Sequence, residues 1–525
     1  MTIRNAWLQG FSAFCIGAAT SLGMLFPVLG IVSLIGFIAF ILLLHAIPGS
    51  RRSIIITTLT FGFAFCGGVH IWLWDLLPLD WLGVTNPLYG YALLLFYWST
   101  IAFSFGTIFL LFTFTYLRYK PEQPITLALF AASLWTVVQY LQMWGTSLVT
   151  AGDGSLFGAH YSTVMLGYAA TNVPSVLFLA RYGGIFAMTF TVVFVAVLLA
   201  FAVREWMFER KYGSALVAAC ICIIALSTSS LVVPRQPQST TSIPVALVTT
   251  DFRNQSSFSW EQASIKIQSQ IDESLPLAAH GSLYVLPEEI SLHDSNPDNS
   301  LLKALDTGGH SVLFSNAVAV NEKKRLRMSL YHNGTSTGFY DKMLLSPQGE
   351  YGPWFYQVWL GIIGGAELVE ASRSNYTYER GEHTAVTRIP GATVGALFCS
   401  DILSPQLYRL LTREGATVLT ESTSLGWFHS SPVVDSVMLT IARVRAAENN
   451  RYLVVAGNAA PSTIISNTGA IIQRTEMNSF SVLHSHIPVI SDVSVYTKLG
   501  NLVLIPLLCI CAFFIICSRR LRLQR

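Results

Sequence analysis

Charge is what this 525-residue chain has least of: 12% of its residues are Asp, Glu, Lys or Arg, where a soluble domain carries roughly 25%. The shortage excludes a chain that is soluble throughout, and it is uneven. Residues 1–235 hold several apolar runs of about 20 residues, the length that crosses a hydrocarbon layer of ~30 Å. Residues 498–517 are apolar again, and residues 240–490 have an ordinary soluble composition. The net charge is only +3, and no basic stretch interleaved with aromatics occurs, so a nucleic-acid partner is excluded. Cysteine is scarce where it would matter for disulfides. Of eight cysteines, Cys399 alone falls in the soluble part, which leaves that part with no intramolecular bridge. His310, His429, His484 and His486 match no metal-ligand spacing, so no metal and no cofactor is expected.

The apolar runs predict membrane helices at about 8–27, 30–47, 53–75, 90–117, 124–143, 184–203, 213–233 and 498–517, with the first two close enough to form one kinked element. The first run lacks a small-residue cleavage site and is read as a retained helix. Basic residues then orient the chain. Arg51 and Arg52, Arg118 and Lys120, and Arg204, Arg210 and Lys211 fall in alternate loops, and Arg519, Arg520 and Arg522 follow the last run. The loop 76–89 has no Lys or Arg, and about 144–183 has only Arg181. The positive-inside rule places both termini in the cytoplasm and the soluble domain across the membrane, in the periplasm of a Gram-negative cell. Trp72, Trp74 and Trp144 sit in the outer loops, the position of interfacial anchors.

Four segments are expected: an N-terminal membrane domain over 1–235, a soluble domain over 240–490, a membrane helix over 498–517 and a basic tail over 518–525. Within the soluble domain, Ile243–Thr249, Ser282–Leu286, Ser311–Ala317, Arg327–Tyr331, Ala392–Phe398, Val418–Thr420 and Tyr452–Ala456 read as strands. Helices fit about 260–278 and 432–449. The pattern predicts a layered α/β domain with helices flanking sheets.

Cys399 ends one of these strands and leads into Ser400-Asp401, the place where a nucleophile is exposed at the rim of an α/β sheet. Two other strand ends carry matching chemistry: Pro287 is followed by Glu288 and Glu289, of which Glu288 is favoured, and Tyr340-Asp341 is followed by Lys342. A thiol needs a base to become a nucleophile, and the tetrahedral intermediate that follows needs a cation or N–H donors at its oxyanion. Glu, Lys and Cys supply these parts.

The set Pro287-Glu288, Tyr340-Asp-Lys342 and Phe398-Cys399 resembles the Glu-Lys-Cys triad of the nitrilase (carbon–nitrogen hydrolase) superfamily. Lys342 followed by Pro347-Gln-Gly349-Glu350, and the run Arg443-Val-Arg445-Ala446-Ala-Glu448, resemble further motifs of that superfamily. Carried between membrane helices, with Gly158-Ala-His160-Tyr161 and Leu166-Gly167-Tyr168 in the loop before the sixth, the whole is similar to the apolipoprotein N-acyltransferase family. The resemblance implies a multi-pass α-helical membrane bundle with a nitrilase-like, layered α-β-β-α sandwich. It implies acyl transfer through a Cys399 thioester, from a phospholipid donor to the N-terminal amine of a diacylglyceryl-cysteine lipoprotein, by a monomer. Glu288 is the implied base, Lys342 and the Ser400 N–H the oxyanion donors, and Glu350 an assistant to Lys342 or to the amine. Asp401, Trp260 and Trp427 are weaker candidates, the two tryptophans for substrate binding. Ser400-Asp401 stands where the family leads one to expect Tyr-Glu, and Leu286-Pro287 where Trp-Pro is expected. An amidase, or an acyltransferase with another acceptor, is the alternative these departures leave open.

Overall fold

The computed structural model describes residues 6–47, 49–79, 84, 86–209, 213, 216–218, 220–222, 241–252, 260–288, 308–320, 323–362, 370 and 378–523. The chain forms two compact units. The first comprises Met1–Thr146, Ser162–Pro234 and Leu499–Arg525, and the second Ser147–Tyr161 and Arg235–Lys498.

The first unit is helical. Among the described residues seven helices are long and apolar enough to cross a membrane: Ala6–Leu25, Pro27–Ala46, Arg51–Val69, Pro87–Tyr119, Pro124–Val149, Ala180–Met207 and Val495–Arg520. The expected span at 213–233 lies largely outside the described residues. The first two runs are separate spans rather than one kinked helix. Phe26 is extended and a short turn at Pro27–Leu29 reverses the chain, after which the two helices lie against each other. The Gly23 N–H donates to Ser33 Oγ at 2.8 Å, and a Cβ on Gly36 would fall 2.5 Å from the Thr20 hydroxyl. Such contact is how small residues let membrane helices approach where no hydrophobic force draws them together.

The second unit holds two six-stranded sheets. Strands β1 (Ser242–Thr249), β2 (Leu283–Val285), β3 (Ser311–Val320), β4 (Lys323–His332), β5 (Thr335–Asp341) and β12 (Ser481–Pro488) form one, in the order β12-β1-β2-β3-β4-β5. Strands β6 (Val386–Ile389), β7 (Ala392–Phe398), β8 (Val418–Ser424), β9 (Leu453–Asn458), β10 (Thr463–Ile465) and β11 (Ile471–Arg474) form the other, in the order β11-β10-β9-β8-β7-β6. Each sheet has a parallel centre, β1-β2-β3 and β7-β8-β9, and antiparallel flanks. The central strands are apolar because neighbours cover both faces. Ile271 of the helix Trp260–Ser274 is fully buried in a cluster with Ala246, Val248, Tyr284, Leu286, Val312 and Phe314, and its truncation to Ala would cost about 2–5 kcal/mol. On the second sheet lies the helix Pro432–Asn449. Ser431 caps its start by accepting from the Val433 and Val434 N–H groups, and Asn450 closes it in a left-handed conformation.

The structure adds elements that the apolar pattern did not predict: β5, β6, β10, β11, β12 and the helix Pro405–Arg413. β5 reads Thr-Ser-Thr-Gly-Phe-Tyr-Asp and β11 is an exposed edge, so neither carries the buried run that marks a central strand. β8 extends through Glu421-Ser-Thr-Ser424, four polar residues that are all buried.

Candidate active site

Three loop starts converge. Glu288 follows β2, Lys342 follows β5, and Cys399 follows β7, each at the C-terminal end of its strand, where side chains clear the sheet. Lys342 is almost fully buried, and its Nζ lies 2.7 Å from Glu350 Oε1 and 3.2 Å from Glu288 Oε1. Glu350 is itself held in place. Its second oxygen accepts from the Ser346 N–H at 2.7 Å, and its own N–H donates to the Ser346 carbonyl at 2.9 Å. Burial would lower the ammonium pKa, but Glu288, Glu350 and Cys399 raise it well above the ordinary lysine value, so Lys342 stays charged. For Glu350 burial wins over the neighbouring cation and raises the carboxyl.

Cys399 stands at φ +31°, an uncommon conformation for a residue with a side chain, and the kind of local strain that marks a nucleophile turned out of a strand. Burial and the carboxylate of Glu288 push its thiol well above the ordinary range, with Lys342 pulling the other way. The resting sulfur is therefore a thiol that needs a base, and the adjacent carboxylates can serve as one.

Asp401 holds this turn together. It is fully buried, and one carboxylate oxygen accepts from the Leu344 N–H at 2.8 Å while the other accepts from the Phe398 N–H at 3.1 Å and the Tyr340 hydroxyl at 2.9 Å. The Cys399 turn is thus tied to the segment that carries Lys342. Burial pushes the Asp401 carboxyl up to about 7, against Lys342 and these three donors. The Ser400 hydroxyl adds a parallel tie, donating to the Leu344 carbonyl at 2.6 Å. The Ser400 N–H belongs to the first turn of the short helix Cys399–Leu403, so it has no acceptor within that helix.

The structure brings together Glu288, Lys342, Glu350, Cys399, Ser400 and Asp401. Trp427 stands half-exposed in the turn Gly426–Phe428 after β8. Trp260 opens the helix Trp260–Ser274, and its side chain, like all of Glu289, lies outside the described residues. Three residues had no role assigned from the sequence. Tyr340 is signalled only by standing two residues before Lys342. Glu421 is a carboxylic acid inside a strand, fully buried beside the Tyr408 hydroxyl that donates to it, and burial pushes its carboxyl well above the ordinary range. His160 lies far away in sequence and meets the site through Ser404. Among the described residues no cluster of His, Cys, Asp or Glu is suited to a metal.

The fold and the site together define a carbon–nitrogen hydrolase domain carried by a multi-pass membrane bundle. The carbon–nitrogen hydrolase family model matches residues 314–489, and that of the apolipoprotein N-acyltransferase N-terminal domain matches residues 16–198. An apolipoprotein N-acyltransferase of Pseudomonas putida is 22% identical over 472 residues, 87% of this chain and 86% of that protein. One of Aquifex aeolicus is 22% identical over 432 residues, 81% of this chain and 88% of that one. One of Mycolicibacterium smegmatis is 29% identical over 164 residues, 31% of this chain and 26% of that one. An amidase of the nitrilase superfamily from Nesterenkonia covers 49% of this chain and 94% of its own, at 17% identity and a TM-score of 0.36. The chain is an acyltransferase of the nitrilase superfamily, and along most of its length it is similar to apolipoprotein N-acyltransferases.

Proposed function

We propose that this protein transfers a fatty acyl chain from a phospholipid, through a thioester on Cys399, to the N-terminal amine of a diacylglyceryl-cysteine lipoprotein. The observation that carries the reading is the buried ammonium of Lys342 between Glu288 and Glu350, beside the strained Cys399 turn. An ammonium has three donors; two are directed at the carboxylates and a third is available to an oxyanion. The membrane spans and the relatives' acyltransferase names support lipid-anchored substrates.

In the first half-reaction Glu288 accepts the thiol proton and the thiolate adds to the ester carbonyl. Lys342 and the Ser400 N–H stabilise the oxyanion. Collapse breaks the ester C–O bond, and the departing lysophospholipid oxygen takes the proton from Glu288. In the second half the free amine attacks the thioester, Glu288 accepts a proton from nitrogen, and the expelled Cys399 sulfur recovers it. Glu350 keeps Lys342 aimed. The alternating basic loops support a periplasmic domain with both termini cytoplasmic.

Intact-protein mass spectrometry of the detergent-solubilised chain, incubated with phospholipid, tests this reading. A hydroxylamine-sensitive acyl adduct, absent from Cys399→Ala and discharged by a diacylated lipopeptide, is the expected result. An adduct that persists in Cys399→Ala, or none across several phospholipids, would overturn it.

A further inference from the structure

The segment Ser147–Tyr161 continues directly from the helix Pro124–Val149, yet it belongs to the compact unit that holds the candidate site. It forms a strap with two grips. The first closes on the residues after Glu350. The Tyr351 hydroxyl donates to the Thr150 carbonyl at 2.7 Å, Gly152 bridges Pro353, the Trp354 N–H donates to the Ala151 carbonyl at 2.7 Å, and the Trp354 indole donates to the Leu148 carbonyl at 2.9 Å. The second closes on the far end of the nucleophile's turn, where His160 Nδ1 lies 2.8 Å from Ser404 Oγ.

The second grip is specific. His160 is buried, and its ring also bonds the Phe157 carbonyl. With the ring proton on Nε2, Nδ1 accepts from the Ser404 hydroxyl. Ser404 in turn accepts from the Leu407 N–H at 3.3 Å, capping the helix Pro405–Arg413, and its own N–H closes on the Asp401 carbonyl at 2.9 Å. Gly158 stands at φ +153° with the imidazole against it, and a Cβ there would fall 2.7 Å from Nε2. The strap also closes on itself, the Gly158 N–H donating to Ser147 Oγ at 3.3 Å.

We propose that His160 is a positioning residue for Cys399, and that the strap sets the distance between the Glu350–Lys342 side of the site and the nucleophile. Asp401 pins the near end of the Cys399 turn and His160 pins the far end. A group that acts through geometry alone changes turnover rather than ground-state binding, and small displacements at a reacting atom are costly. The inference rests on the reading of Cys399 as nucleophile.

The test uses the full-length chain in detergent, with dioleoyl phosphatidylethanolamine as donor and a synthetic diacylated lipopeptide as acceptor. For His160→Ala the expected result is a kcat about tenfold lower, a KM within about twofold, and a parallel change in the rate at which iodoacetamide alkylates Cys399. His160→Asn, whose amide oxygen can accept from Ser404 in place of Nδ1, should recover most of the rate. Ser404→Ala should match His160→Ala, and the double variant should be no slower than the worse single one. Should His160→Ala fail to fold, His160→Asn and Ser404→Ala carry the same comparison. Wild-type turnover in His160→Ala or in Ser404→Ala, an Asn variant as slow as Ala, or losses that multiply in the double variant would overturn the inference. Cys399→Ala separates the two failures. If it is inactive while His160→Ala is unimpaired, only the positioning role falls; if it retains activity, the nucleophile reading falls and the strap's role with it.

Discussion

The second unit buries two sets of cations, built in opposite ways. At the end of the helix Pro432–Asn449 the buried guanidinium groups are held by several acceptors. Arg445 is fully buried, pairs with Glu448 and donates from Nε to the Ile402 carbonyl at 3.0 Å. Arg451 donates to the carbonyls of Ala416, Asn450, Ser491 and Asp492. At the candidate site one ammonium faces two carboxylates and a thiol that resists ionisation. Bonds to main-chain carbonyls make the arginines architecture. The unequal set at Lys342 leaves one ammonium donor without an acceptor among the described residues and a thiol proton to be moved, which are the needs of acyl transfer.

If that contrast is right, Lys342→Met should cost turnover about 10³-fold or more, since it removes an oxyanion donor and leaves Glu288 and Glu350 facing each other. Circular dichroism should still report a folded chain. A folded variant with more than a tenth of wild-type activity would break the contrast. Arg445→Met should do the reverse, lowering stability by about 3–5 kcal/mol because the fully buried Glu448 loses its neighbouring cation. Denaturant titration measures this, and a loss under about 1 kcal/mol would show that Glu448 finds another partner or a proton.

Asp401→Asn sits between the two. An amide has one acceptor oxygen where the carboxylate has two, so either the Phe398 or the Leu344 N–H faces an NH₂ group. The expected cost is about 1–3 kcal/mol of stability, with a fall in kcat because the turn loosens; unchanged values for both would remove Asp401 from the account.

The smallest effects are in pH. Burial first of all holds His160 down at about 4 from 6.5, so the unfolded chain binds this proton more readily, and the stability it contributes is present above 6.5 and lost as pH falls towards 4. Asp401, raised to about 7 from 3.8, acts with the opposite sign: its contribution is present below 3.8 and lost as pH rises towards 7. Thermal melts of the wild type and His160→Asn across pH 4–6.5 should diverge at the acid end. Parallel curves would argue against a buried neutral imidazole.

Much of this was legible in the amino-acid order. Six of the eight expected spans correspond to described N-terminal helices and one to the C-terminal helix, because a 20-residue apolar run is a local property that lipid reads directly. The strands β1, β2, β3, β7 and β9 were legible for a similar reason, since burial on both faces demands unbroken apolar runs. β8 was cut short at Thr420 because Glu421-Ser-Thr-Ser424 looks like a loop; it is a strand because its polar groups find partners elsewhere, such as Ser422 donating to the Leu286 carbonyl at 2.6 Å. β12 pairs with β1 across most of the domain's length in sequence, a partnership no local pattern states.

By itself, then, the amino-acid sequence determined the membrane runs, the central strands and the candidate trio of Glu288, Lys342 and Cys399, because each is written in a stretch short enough to be its own signal. Tertiary structure alone decided that Glu350 and Glu288 share one ammonium, that Asp401 clamps the Cys399 turn, and that His160 reaches Ser404 from a loop adjoining a membrane helix. Those are matters of distance between segments far apart in the chain, set by how two sheets and their covering helices close around a common core, and hydrogen bonds of under 3.5 Å are not encoded in spacing along the chain.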